Sequence, residues 1–103
     1  MKIVYFDVED YEKEYLKKHN VNKYNYILTP DALNDLSPLK QEYEDADVIS
    51  VFTTSRVNRN ILKKFKNLKL IALRSVGYNH IDIEYCREHH IIVENSPNYG
   101  NQS

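Results

Sequence analysis

The chain has 103 residues, enough for one domain but too few for two, since a domain this size buries only roughly 60–70% of the surface its unfolded form exposes. Fourteen basic residues stand against fifteen acidic ones, interspersed, for a net charge of −1, so no global field draws the protein to nucleic acid or an anionic membrane. The single cysteine, Cys86, excludes an intrachain disulfide and suits a reducing, cytoplasmic setting; no apolar stretch approaches the roughly 20 residues needed to cross a bilayer.

The first apolar run, KIVYFD (2–7), meets acids at Asp7, Glu9 and Asp10, which suits an opening strand and not a secretory leader. Asp10 is a candidate cap for a helix with Tyr11, Tyr15 and Leu16 on one face. YNYILT (24–29) is weaker and reads as an edge strand. Ser37 followed by Pro38 looks like a cap and first-turn proline, with Leu39, Tyr43 and Ala46 aligned behind it. DVISVF (47–52) is a third strand; Asn58 then caps a helix in which Val57, Ile61, Leu62 and Phe65 recur at helical spacing. LKLIAL (68–73) is a fourth strand, Asp82 caps IEYCREH, and HIIVEN (90–95) is a fifth strand.

Continuous apolar strands alternating with helices predict an α/β fold: a flavodoxin-like, doubly wound, three-layer parallel sheet of order 2-1-3-4-5. ENSPNYGNQS then loses periodicity, so residues 1–95 are expected to form the domain and 96–103 to leave it. No residues remain for a last crossover helix. One sheet face is therefore expected to be partly uncovered and to seek a partner, a homo-oligomer being the expected form.

In such a sheet, ligands bind beyond the carboxyl ends of the strands. Of the loops there, RSVGYNHID (74–82) stands out because it spends one of only two glycines in the chain. Gly77 permits positive φ or close approach, and the N–H groups of Val76 to Tyr78 could form an anion-accepting nest. A plain strand-to-helix turn accounts for the glycine at least as well.

FDVEDYEKEYL, FTTSRVN, NLKLIALRSVGYNHIDIEYCREHHI and ENSPNYG together resemble the amino-terminal part of the NAD-dependent D-isomer-specific 2-hydroxyacid dehydrogenases, the D-lactate dehydrogenase type in particular. The resemblance covers essentially the whole chain. It implies the first part of a substrate domain whose Rossmann partner, the holder of NAD, lies outside this sequence. It also implies a small 2-oxo or 2-hydroxy acid as ligand, met by the amides of Val76 and Gly77, with Tyr78 at the cleft mouth. Phe52 and the Thr53–Thr54 pair would line the neighbouring strand end, and Tyr99 would lie near the hinge. The arginine, histidine and carboxylate that carry the family's chemistry are implied to fall beyond this chain, which is expected to be catalytically silent alone.

The chain departs from the family pattern at Asn79, where aspartate is frequent, and at His89–His90, where a glycine usually ends the helix. A histidine in the left-handed region is uncommon but allowed, and its cation suits a helix carboxyl end. Arg74 is expected at the surface. With two glycines 23 positions apart, Gly77 and Gly100, the chain cannot carry a dinucleotide fingerprint, so it is not expected to bind NAD alone.

Other constellations are weaker. His80, His89 and His90 lack the spacing of a metal site. Cys86, mid-helix beside Ile83, reads as a small buried hydrophobe. Most of the nine tyrosines are expected at core-facing or strand positions, and no basic stripe accompanies them to stack nucleic acid. A phosphoryl-accepting receiver domain needs an aspartate at the end of the third strand, where VFTT stands. A stand-alone, non-catalytic small-acid-binding or interaction module remains the alternative.

Overall fold

The computed structural model describes residues 1–20, 25–34, 39–52, 55–74 and 80–95, with 19 and 20 described by backbone alone. Five strands, β1 (Lys2–Tyr5), β2 (Asn25–Leu28), β3 (Val48–Val51), β4 (Leu70–Leu73) and β5 (Ile92–Asn95), form one parallel sheet in the order β2-β1-β3-β4-β5. Among the described residues, three α-helices, α1 (Asp10–Asn20), α2 (Arg59–Leu62) and α3 (Ile83–Glu88), lie between them. The expected architecture and all five strands are present. β1 ends at Tyr5, short of the expected Asp7, because Asp7 takes φ 61°, which no ladder residue can adopt.

Register separates the two faces. Val4, Ile49, Ile71 and Val93 lie side by side across four strands. The first three are fully buried, in one cluster with Tyr43, Ile61, Leu62, Phe65 and Cys86 from the segments that follow β2, β3 and β4. Burying each such aliphatic side chain stabilises the fold by roughly 1.5–3 kcal/mol, and Ile49→Ala would cost roughly 2–5 kcal/mol through the cavity it leaves.

The opposite face carries Tyr26, Ile3, Val48, Leu70 and Ile92 in one row. Right-handed crossovers put α1 on this side, because the connection from β1 to β2 runs opposite to the later ones. Cover fades along the row: Ile3 and Val48 are buried, Leu70 is half-buried and Ile92 is 59% exposed.

Local signals account for most helix boundaries. Asn58 Oδ1 accepts from the Ile61 N–H at 3.0 Å and Asp82 Oδ1 from the Tyr85 N–H at 3.0 Å, so both expected caps are present. α3 closes with His90 at φ 59°, the Ile91 N–H reaching the Cys86 carbonyl at 2.8 Å and the His90 N–H the Arg87 carbonyl at 3.3 Å. Those two bonds define a Schellman close with histidine in the usual glycine place.

Two helix expectations need correction. Asp10 is the first helical residue and not the cap; the bond at that end runs from the Glu9 N–H to Glu12 Oε1 at 2.9 Å. On α1 the buried positions are Glu12 and Leu16, while Tyr11 is 77% exposed and Tyr15 half-buried. The helix expected from Ser37 is, among the described residues, a 3₁₀ turn over Gln41–Tyr43; Ser37 and Pro38 themselves lie outside them. Lys40 is extended and β3 begins at Val48, and the segment between them holds a single 3₁₀ turn. The aligned apolar residues still serve the core: Tyr43 and Ala46 are buried, and Tyr43 meets Phe6 edge-on at 5.3 Å. Tyr43 is the buried tyrosine among the described residues; Tyr5 and Tyr26 lie in strands and Tyr85 packs half-buried against the core, as expected, while Tyr11 is exposed.

Candidate functional site at the carboxyl ends of the strands

Asp7 organises the strand ends. Its buried carboxylate accepts through Oδ2 from the Phe52 N–H at 2.8 Å and from Ser55 Oγ at 2.6 Å. Its own N–H donates to the Asp31 carbonyl at 2.9 Å. Ser55 Oγ in turn accepts from the Leu33 N–H at 2.9 Å. One aspartate thus joins the segments that leave β1, β2 and β3. An aspartate at positive φ is sterically costly and persists where its surroundings fix it.

Arg74 corrects an expectation: it is 5% exposed and not a surface residue. Alternation explains where it points. Leu73 faces the main cluster, so the next side chain turns to the opposite face, where Ser50 and α1 lie. There Nε donates to Glu12 Oε2 at 3.1 Å, one terminal nitrogen to Ser50 Oγ at 3.0 Å, and the other to the carbonyls of Phe6 at 2.6 Å and Asp7 at 3.1 Å. The planar fork of arginine suits this set, and lysine could not reproduce it.

Beyond β4, a bridge pairs Val57 with Ile81; the Val57 N–H donates to the His80 carbonyl at 2.8 Å, and the Asp82 N–H to the Val57 carbonyl at 3.0 Å. The His80 imidazole is held below its ordinary pKa, first by burial and then by the Arg56 guanidinium, with Asp7 opposing. Its Nε2 is buried with no hydrogen-bond partner among the described residues. Burial pushes the Cys86 thiol up to about 11, with Asp82 adding to it, as befits a buried hydrophobe and not a nucleophile.

Of the expected substrate-binding residues, Phe52 is described: it stands at the end of β3, 42% exposed, its N–H held by Asp7. Val76, Gly77 and Tyr78 lie outside the described residues, as do Thr53, Thr54 and Tyr99. Sequence reading missed Asp7, Glu12 and Ser55; the one available signal was the acid cluster after β1. Among the described residues, no three ligating side chains gather as a metal site would require, and no helix is long and apolar enough to cross a membrane.

The first strand-to-helix turn, where a dinucleotide fold seats its pyrophosphate, does not fit NAD. Glu9, Asp10 and Glu12 surround it, and Glu12 Oε1 already takes the Glu9 N–H, so acids occupy the place of an anion.

The fold is an open α/β domain with a network of buried polar groups at the carboxyl ends of its strands. Residues 3–103 match the D-isomer specific 2-hydroxyacid dehydrogenase catalytic domain, and the chain belongs to that family. It is 35% identical over 103 residues to 2-hydroxyacid dehydrogenase homolog 1 of Schizosaccharomyces pombe, covering 97% of this chain and 30% of that protein. Against D-lactate dehydrogenase of Staphylococcus aureus strain Mu50 the identity is 28% over 105 residues, covering 96% of this chain and 30% of the other. Among solved structures, D-lactate dehydrogenase from Aquifex aeolicus, complexed with NAD and lactic acid, superposes with a TM-score of 0.80 at 30% identity, covering 95% of this chain and 28% of that one. The chain thus spans less than a third of the length of these relatives.

Proposed function

We propose that this chain supplies the acid-binding side of an NAD-dependent dehydrogenase that interconverts a small 2-oxo acid and its D-2-hydroxy acid. The observation that carries the reading is the family match over residues 3–103, on a fold that superposes on D-lactate dehydrogenase from Aquifex aeolicus with a TM-score of 0.80. In this reading the amides of Val76 and Gly77 receive the substrate carboxylate, Tyr78 stands at the cleft mouth, and Phe52 contacts the acid's side chain. An exposed aromatic ring anchored through its own amide suits that last role. A pyruvate-sized acid is the proposed substrate, and the cytoplasm, where a lone thiol stays reduced, the proposed compartment.

In this reading NAD is held by a Rossmann unit outside this sequence; at the β1–α1 turn of this chain Glu12 Oε1 already takes the Glu9 N–H, and Glu9 and Asp10 add further negative charge, which disfavours a pyrophosphate there. The 103-residue chain is therefore silent alone. Purified, it should not oxidise NADH with pyruvate or other small 2-oxo acids, and joined to an NAD-binding domain of the family it should. Turnover by the chain alone, or none by the joined protein with any such acid, would overturn the proposal.

Self-association is proposed through the face where cover fades from Val48 to Ile92. A monomer in dilute sedimentation runs, unchanged by Ile92→Lys, would count against it.

A further inference from the structure

The buried Arg74 cluster has features that packing alone does not require. A charged pair this deep contributes little net stability compared with apolar residues of the same volume. Yet Arg74 spends every arm of its guanidinium on groups at one end of the sheet: Glu12 of α1, Ser50 of β3, and the carbonyls of Phe6 and Asp7 after β1. Two of those bonds grip the backbone on either side of the strained step at Asp7, whose φ is 61°. That step turns the Asp7 carboxylate toward the Phe52 N–H and Ser55 Oγ. The chain of bonds is continuous from α1 to the rim residue that the proposed function places against substrate.

We infer that Arg74, seated on Glu12, is a positioning residue for the site: by holding the Phe6 and Asp7 carbonyls it aims the Asp7 carboxylate that fixes the backbone of Phe52. Arg74 touches no substrate in this arrangement and acts through Asp7. Glu12 neutralises the buried guanidinium and, through its other oxygen on the Glu9 N–H, ties the cluster to the start of α1.

The inference rests on the proposed function, so its test has two arms that fail separately. In the 103-residue chain, Arg74→Lys keeps the charge but loses the fork, and Glu12→Gln keeps the shape but cannot accept at both ends. Each should accelerate hydrogen exchange of the Phe52 amide by about tenfold relative to the core amides of Ile49 and Ile71, as a local opening does. Acceleration of all three in step would mean general loosening and would overturn the inference. In the chain joined to its NAD-binding domain, the same variants should raise KM for the 2-oxo acid by about tenfold, with kcat within about threefold, the pattern of a misplaced binding contact. Asp7→Ala, which removes the acceptor of the Phe52 N–H, should reproduce the defect in both readouts. An unchanged KM in Arg74→Lys and Glu12→Gln would sink the positioning role. A parent protein with no turnover would sink the functional reading instead, and the exchange arm would then decide the network by itself. Should Arg74→Lys fail to fold, Glu12→Gln, which leaves the other three guanidinium bonds, carries the same prediction.

Discussion

Arg74 Nε lies 3.1 Å from Glu12 Oε2, across 62 positions of chain, with the two side chains only 2% and 7% exposed. Removing one partner strands a charge in the interior, whereas removing both leaves none. Glu12→Leu should therefore destabilise the chain by about 3–5 kcal/mol, and the double variant Glu12→Leu, Arg74→Met by clearly less. Urea unfolding of the three proteins measures the difference; a double variant as unstable as the sum would contradict it.

The two short helices depend on their caps. Asn58→Ala and Asp82→Ala should each cost about 1 kcal/mol, seen as a fall of roughly 4–8 °C in Tm for a domain this size. Asp82 also meets Arg59 Nε at 3.2 Å, but that pair is solvent-exposed and adds little.

At the other end of α3, His90 occupies a left-handed position that favours glycine. His90→Gly should stabilise the chain by roughly 0.5–1 kcal/mol, because relief of Cβ crowding outweighs the added freedom of the unfolded glycine. Thermal melts of the two proteins in one buffer decide it.

His80 makes stability depend on pH. Its folded pKa is depressed below 6.5, so between the two values the unfolded chain binds the extra proton. Stability is thus intact above about pH 6.5 and falls as pH drops through the unfolded and then the folded pKa. His80→Asn should flatten the urea midpoint between about pH 7 and 5; an identical slope in both proteins would assign the effect elsewhere.

Cys86 is 1% exposed with its thiol pushed up to about 11, so iodoacetamide should leave it unmodified in the native state at pH 8 and label it once urea unfolds the chain. Rapid native labelling would place the thiol at the surface.

Strand identity, strand order and the caps at Asn58 and Asp82 were legible because they depend on local chemistry: continuous β-branched runs, helical spacing, and side chains that accept from N–H groups three residues on. The buried faces were less so. Periodicity placed Tyr11 inside α1 and left Glu12 out, since an acid reads as solvent-facing until its cation is known. That cation lies 62 residues away, and nothing near either residue marks the pair.

By itself, the sequence determined a parallel sheet of order 2-1-3-4-5 and, with it, which loops gather at the carboxyl edge, because hydrophobic patterning and crossover handedness leave few alternatives. Only the tertiary structure decided that Asp7 and Arg74 organise that edge. Their roles rest on bonds between segments distant in the chain and on a positive φ at Asp7, properties that exist only once the strands are side by side.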